Sequence, residues 1–201
     1  MKKILPFFSY LFHPIFIPLL GTLFYIYFNQ NYYSTQHYLL LLFQVVIITF
    51  LLPLTFFYLL RTFGKVDNVM LAETSQRKIP LIVQISLTAV LIQKSVTIDR
   101  FPELYFFFLG GIISTIIALL FVFANIKASI HMIAMSALTF FAIALSIHHQ
   151  ENCIAIVAIL FLISGLVATS RLYMKAHTLT ELILGYTFGM LPQLILWWFW
   201  L

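Results

Sequence analysis

Residues 170–181 read Ser-Arg-Leu-Tyr-Met-Lys-Ala-His-Thr-Leu-Thr-Glu and join two apolar runs, 152–169 and 180–200. Ser170, Arg171, His177 and Glu181 stand at offsets 0, 1, 7 and 11 in a chain that is 63% hydrophobic. Polar, reactive side chains this dense at the edge of an apolar helix are either a solvated flank or a site. Ionisable residues beside membrane spans favour the second reading.

Outward from this stretch the chain is a series of apolar runs. With 11 basic and 6 acidic residues among 201 and a mean hydropathy of +1.05, it carries far less than the roughly one-quarter charged residues of a soluble domain. Seven segments, at about 8–28, 38–60, 79–96, 104–124, 129–147, 152–169 and 180–200, approach the ~20 residues of a membrane span. The third and sixth are short. Pro14 and Pro18 make the first a candidate for a kink or a re-entrant turn. The expected fold is therefore an all-α integral membrane protein, a helical bundle of six to seven membrane segments in one domain, 1–201. No repeat, low-complexity tract or soluble linker interrupts it. The start, Met1-Lys2-Lys3 followed by apolar residues, resembles a signal peptide without a small-x-small cleavage site, and is read as a retained first helix.

Cys153 excludes an internal disulfide and a Cys-based metal cluster, and reads as packing. The net charge of +5 suits flanks beside anionic lipid better than a nucleic-acid surface. Trp197, Trp198 and Trp200 suit an interfacial anchor. Alternate loops hold Lys2, Lys3, Arg61, Lys65, Arg77, Lys78, Lys127, Arg171 and Lys175, against Lys94 and Arg100 in the others. The positive-inside rule then puts the first set, and the polar clusters in it, on the cytoplasmic side of a membrane, expected to be a bacterial inner membrane. If the first segment does not span, the orientation reverses.

A stronger inference needs no orientation. Two apolar segments separate the Arg77 loop from Lys127–His131, and two more separate that loop from 170–181. Even numbers of crossings return the chain to one face, so all three clusters meet at one surface.

Each cluster has a chemical and a bland reading. His177 and Glu181, four apart at the start of the last helix, share a face. A carboxylate on one ring nitrogen fixes the tautomer and leaves the other nitrogen nucleophilic; the bland alternative is an interfacial ion pair. Gly185 and Gly189 extend that stripe and permit close packing of another helix. Arg171, outside that helix, offers a fork for phosphate oxygens or a simple basic flank, and Ser170 caps or orients locally. In the second cluster Ser129 is an N-cap candidate beside Lys127, and His131 in the first turn is placed to protonate an alkoxide. In the third, Arg77 and Lys78 precede Pro80, which suits a first helical turn. Coincidence on one face favours a phosphate site over independent flanks.

This order of residues resembles the type-2 phosphatidate phosphatase superfamily, which includes membrane lipid phosphatases and related haloperoxidases. The third motif of that family, S-R-x5-H-x3-D, matches Ser170, Arg171, His177 and Glu181 with Glu for Asp. The second, P-S-G-H, matches Ser129 and His131 but has Ala128 and Ile130 for Pro and Gly. The first, K-x6-R-P, finds Arg77 with Pro80 displaced by two and Met70 at the lysine position, for which Lys78 or Lys127 would compensate. The resemblance covers about residues 60–190 and implies a phosphatase-like core there. It implies that His177 attacks phosphorus to form a phosphohistidine, Glu181 orients it, and His131 protonates the leaving oxygen and then helps activate water. Arg171, Arg77, Ser129 and nearby amides would hold the phosphoryl oxygens. No metal or other cofactor is implied. The implied substrate is a lipid phosphomonoester or pyrophosphate of the polyprenyl pyrophosphate, phosphatidate, phosphatidylglycerol phosphate or lipid A type. Partners are this substrate and membrane lipids, with no nucleic acid; a membrane-protein partner or second copy stays open. The departures, bulky Ile130 and the longer Glu181, keep a rival reading open: an inactive phosphatase-like protein that binds a lipid phosphate or serves as a subunit of an envelope complex.

Overall fold

The computed structural model describes residues 4–66 and 75–201. Lys2, Lys3 and Met70 lie outside the described residues. The described residues form helices α1 (Ile4–Leu11), α2 (Ile17–Phe28), α3 (Thr35–Val46), α4 (Leu52–Thr62), α5 (Lys78–Lys94), α6 (Pro102–Phe123), α7 (Ile130–His148), α8 (Ile154–Tyr173) and α9 (Leu179–Trp197), with no strand among them. Among the described residues, six stretches are long and apolar enough to cross a membrane: Leu5–Phe28, Thr35–Thr62, Pro102–Phe123, Ile130–His148, Ile154–Tyr173 and Leu179–Trp197. That is consistent with an integral membrane protein. The outward faces agree, since Phe43, Leu162, Ile183 and Ile195 are among many large apolar side chains left exposed, as a lipid-facing surface requires.

Local chemistry explains the departures from seven uniform runs. The first stretch is broken. α1 stops before His13, whose Nδ1 accepts from the Ile15 amide and caps a short 3-10 turn, Pro14–Phe16. The second stretch is continuous but widens into a π-helical turn, Ile47–Leu51, just before Pro53. Proline lacks an N–H and crowds the carbonyl four residues back, and a wide turn accommodates both. The third run is helical as α5, yet its 17 residues rise only about 25 Å, less than the ~30 Å of a hydrocarbon core. The sixth is longer than its apolar run, because α8 continues through Ser170 and Arg171 to Tyr173.

α7 is the central element. It packs on α9, α8, α2 and α6, and Met135, Leu138, Phe141 and Leu145 are fully enclosed. The closest fit is with α9. A Cβ on Gly185 would lie 2.5 Å from the Ser129 carbonyl oxygen, and one on Gly189 would lie 2.1 Å from the Ile133 carbonyl oxygen and from Ser136 Oγ. The glycine stripe thus packs α9 backbone to backbone on α7, as the spacing predicts. Of the three tryptophans only Trp198 suits an outward anchor, at 90% exposure. Trp200 instead packs its ring near Phe141 and His148.

The α2 segment runs beside α7 in the same direction. His13 meets His131 at one end and Asn29 meets His149 at the other. α5 and α6 pack as a pair, returning the chain from Arg77 to Ala128.

Candidate functional site

At the end of the bundle where α7 and α9 begin, the three sequence clusters converge. α9 starts with a capping box. The Glu181 amide donates to Thr178 Oγ1 at 3.3 Å, and the Thr178 amide donates to Glu181 Oε2 at 3.4 Å. Such a cap is worth about 1 kcal/mol. It also moves the helix start to Leu179, so His177 precedes the N-cap rather than lying within the helix. The expected pair forms regardless: His177 Nδ1 is 2.6 Å from Glu181 Oε2. One carboxylate oxygen therefore closes the helix end and holds the ring, leaving Nε2 as the nitrogen available for chemistry.

The surrounding elements are tied to this pair. The Ser129 amide donates to the Glu181 carbonyl at 3.1 Å, joining the start of α7 to α9. Lys127 Nζ donates to the Ala176 carbonyl at 2.9 Å, and Arg77 Nη1 donates to the Ala128 carbonyl at 3.0 Å. Arg77 and Arg171 are each only 2% exposed. Burial pulls the Arg77 pKa down to about 10, with Arg171 acting in the same direction and Glu181 opposing; it remains cationic at neutral pH. Burial also pulls the His177 pKa down, to about 4. The Glu181 hydrogen bond opposes this, while Arg171, Arg77 and Lys127 push further down. The ring is thus a neutral base amid three cations, the state a nucleophile requires.

His131 lies within electrostatic reach of His177 and Arg171, but its contacts differ from the sequence expectation. Its Nε2 lies 3.0 Å from the Ser9 carbonyl oxygen. A carbonyl oxygen only accepts, so Nε2 donates there, which leaves Nδ1 as the ring nitrogen available for proton transfer. His13 packs edge-on against it, ring centroids 5.2 Å apart. Ser129 occupies the N-cap position of α7 without a side-chain cap. Its hydroxyl is buried and lacks a hydrogen-bond partner among the described residues. Ser170 shares a 2.6 Å hydrogen bond with Ser9 and so joins α8 to α1. Lys78 is engaged elsewhere, its ammonium 5.0 Å from the centre of the Phe123 ring. Ile130, expected to crowd a phosphate, lines an apolar cavity of about 240 Å³ beside the cluster, together with His13, Pro18, Phe107 and Ala134.

Ser9 and His13 are the members that the sequence clusters omit. An ionisable residue within an apolar run is a functional signal in its own right, and His13 carried it. Comparison with family models, curated proteins and solved structures finds no match.

Proposed function

We propose that the chain is a membrane phosphatase that hydrolyses a lipid phosphomonoester or pyrophosphate, with His177 as nucleophile. The observation that carries this reading is the His177–Glu181 contact at 2.6 Å, set among Arg77, Arg171 and Lys127. Glu181 holds the proton on Nδ1 and balances the charge that grows on the ring as Nε2 attacks phosphorus. The three cations and the Ser129 hydroxyl suit phosphoryl oxygens whose charge shifts toward the leaving oxygen. The leaving lipid alkoxide, or the phosphate of a pyrophosphate, takes a proton that His131 Nδ1 has first drawn from solvent, and Nδ1 regains one from the water of the second step. Water then cleaves the phosphohistidine, releasing phosphate and restoring the neutral ring. The apolar cavity beside His13 gives the first part of a hydrocarbon tail a place to lie.

The test is phosphate release by purified protein in detergent from polyprenyl pyrophosphate, phosphatidate, phosphatidylglycerol phosphate and lipid A phosphates, alongside His177→Ala. Release by wild type and its loss in the variant support the reading. A variant as active as wild type, or an inactive wild type, removes it.

One observation favours a second reading, a phosphatase-like protein that binds lipid phosphate without turnover. His131 Nε2, Arg77 Nη1 and Lys127 Nζ each already engage a backbone carbonyl. Under this reading the same panel shows saturable binding of an anionic lipid without release.

A further inference from the structure

The opposite end of the bundle holds a second polar cluster, about 25 Å along α7 from His131 by helical rise. Glu103 lies in the first turn of α6, His148 ends α7, and His149 caps it. They border a polar cavity of about 440 Å³ shared with Tyr25, Asn29 and Tyr33. One donor atom from each of Glu103, His148 and His149 lies within 4.8 Å of the other two. Glu103 is only 8% exposed, and its buried Oε2 has no hydrogen-bond partner among the described residues. Its Oε1 makes a loose contact with His148 Nε2, at 3.5 Å. A buried carboxylate oxygen without a partner is costly, and a cation held in the cavity would remove that cost.

We propose that Glu103, His148 and His149 bind a divalent transition-metal ion of the zinc type. Two imidazoles and one carboxylate suit borderline metals, whereas magnesium and calcium favour all-oxygen shells. Bonds of about 2.0–2.1 Å set tetrahedral donor atoms about 3.3 Å apart, so the 4.8 Å grouping must contract. The contraction is small enough for side-chain rotation. The His148 side chain is 35% exposed, and its Nε2 already faces Glu103 Oε1 at 3.5 Å, with Trp200 packed on its ring. His149 is held by ring stacking on Phe28 and by Asn29 Nδ2 at 3.4 Å from its Nε2. Three protein donors leave a fourth position, open to the cavity, for water. The ion would clamp the start of α6 to the end of α7, and nothing in this arrangement depends on the His177 cluster.

The experiment strips the full chain in detergent with a chelator, then titrates it with zinc ion alone. Expected are about one equivalent bound, a raised unfolding midpoint, and at least about tenfold weaker binding in both Glu103→Gln and His149→Ala, with His177→Ala unchanged. Cobalt substitution of wild type, which needs no variant to fold, should give the intense visible bands of a four-coordinate site. Three results would each overturn the site: no zinc retained by wild type at micromolar concentration, unchanged affinity in Glu103→Gln, or a cobalt spectrum of the six-coordinate aquo ion. Loss of zinc in His177→Ala with retention in His149→Ala would do the same.

Discussion

Glu181 Oε2 serves both His177 Nδ1, at 2.6 Å, and the Thr178 amide, at 3.4 Å. Helix capping and ring orientation therefore share one atom. Glu181→Gln keeps a cap acceptor but no longer holds a charge against the ring. It should lower kcat by at least about a hundredfold, as loss of a tautomer-fixing carboxylate does elsewhere, with a much smaller change in thermal stability. Turnover and the unfolding midpoint, measured on the same preparation, separate the two effects.

Acid should act on His177 in a defined direction. Burial and neighbouring cations hold its folded pKa near 4, below the unfolded value of about 6.5. The unfolded chain thus binds the extra proton first, and stability falls as pH drops from about 6.5 toward 4. His177→Gln should show a shallower loss over that interval than wild type in thermal unfolding at stepped pH. For the same reason the acid limb of kcat/KM should lie below the ordinary histidine range.

The α7–α9 contact sets a steric limit. Gly189→Ala drives a methyl to within 2.1 Å of the Ile133 carbonyl oxygen and Gly185→Ala to within 2.5 Å of the Ser129 carbonyl oxygen, while a Cβ at Gly165 meets nothing within 4 Å. The first two should each cost about 1–3 kcal/mol or more. Gly165→Ala, in a lipid-facing helix interior, should be neutral or slightly stabilising. Midpoints of thermal unfolding in one detergent rank the three.

Arg171 and Arg77 should differ from ordinary flanking charges. Arg171→Lys keeps the charge and removes the planar fork, so it should weaken binding of a phosphate analogue such as vanadate about tenfold or more. Arg61→Lys, on an exposed turn of α4, should leave binding unchanged. Equilibrium binding of vanadate reads both.

Much of this site was legible because it follows from spacing and parity. The four-residue interval from His177 to Glu181 survives even though the helix starts two residues after His177. Even numbers of apolar runs brought Arg77, Lys127 and His131 to the same end. Other parts depended on features that periodicity does not carry. The break that Pro14 marks delivers Ser9 and His13 to His131, but a proline does not say which side chains its turn brings together. Ser129 stands at the N-cap of α7 as its position suggests, yet its hydroxyl does not cap; the link it makes to α9 runs through its amide, to the Glu181 carbonyl. Glu103, His148 and His149 each look like a helix flank. Two apolar runs, 104–124 and 129–147, separate Glu103 from His148 and His149, so parity puts all three at one face.

The central claim is that His177 becomes phosphorylated, and a rapid-quench single turnover with phosphorus-labelled lipid substrate tests it most directly. The account predicts acid-labile, alkali-stable label on wild-type protein that maps to His177 and disappears in His177→Ala. Phosphate released by wild type with no labelled protein at any time, or label that persists in the variant, would contradict it.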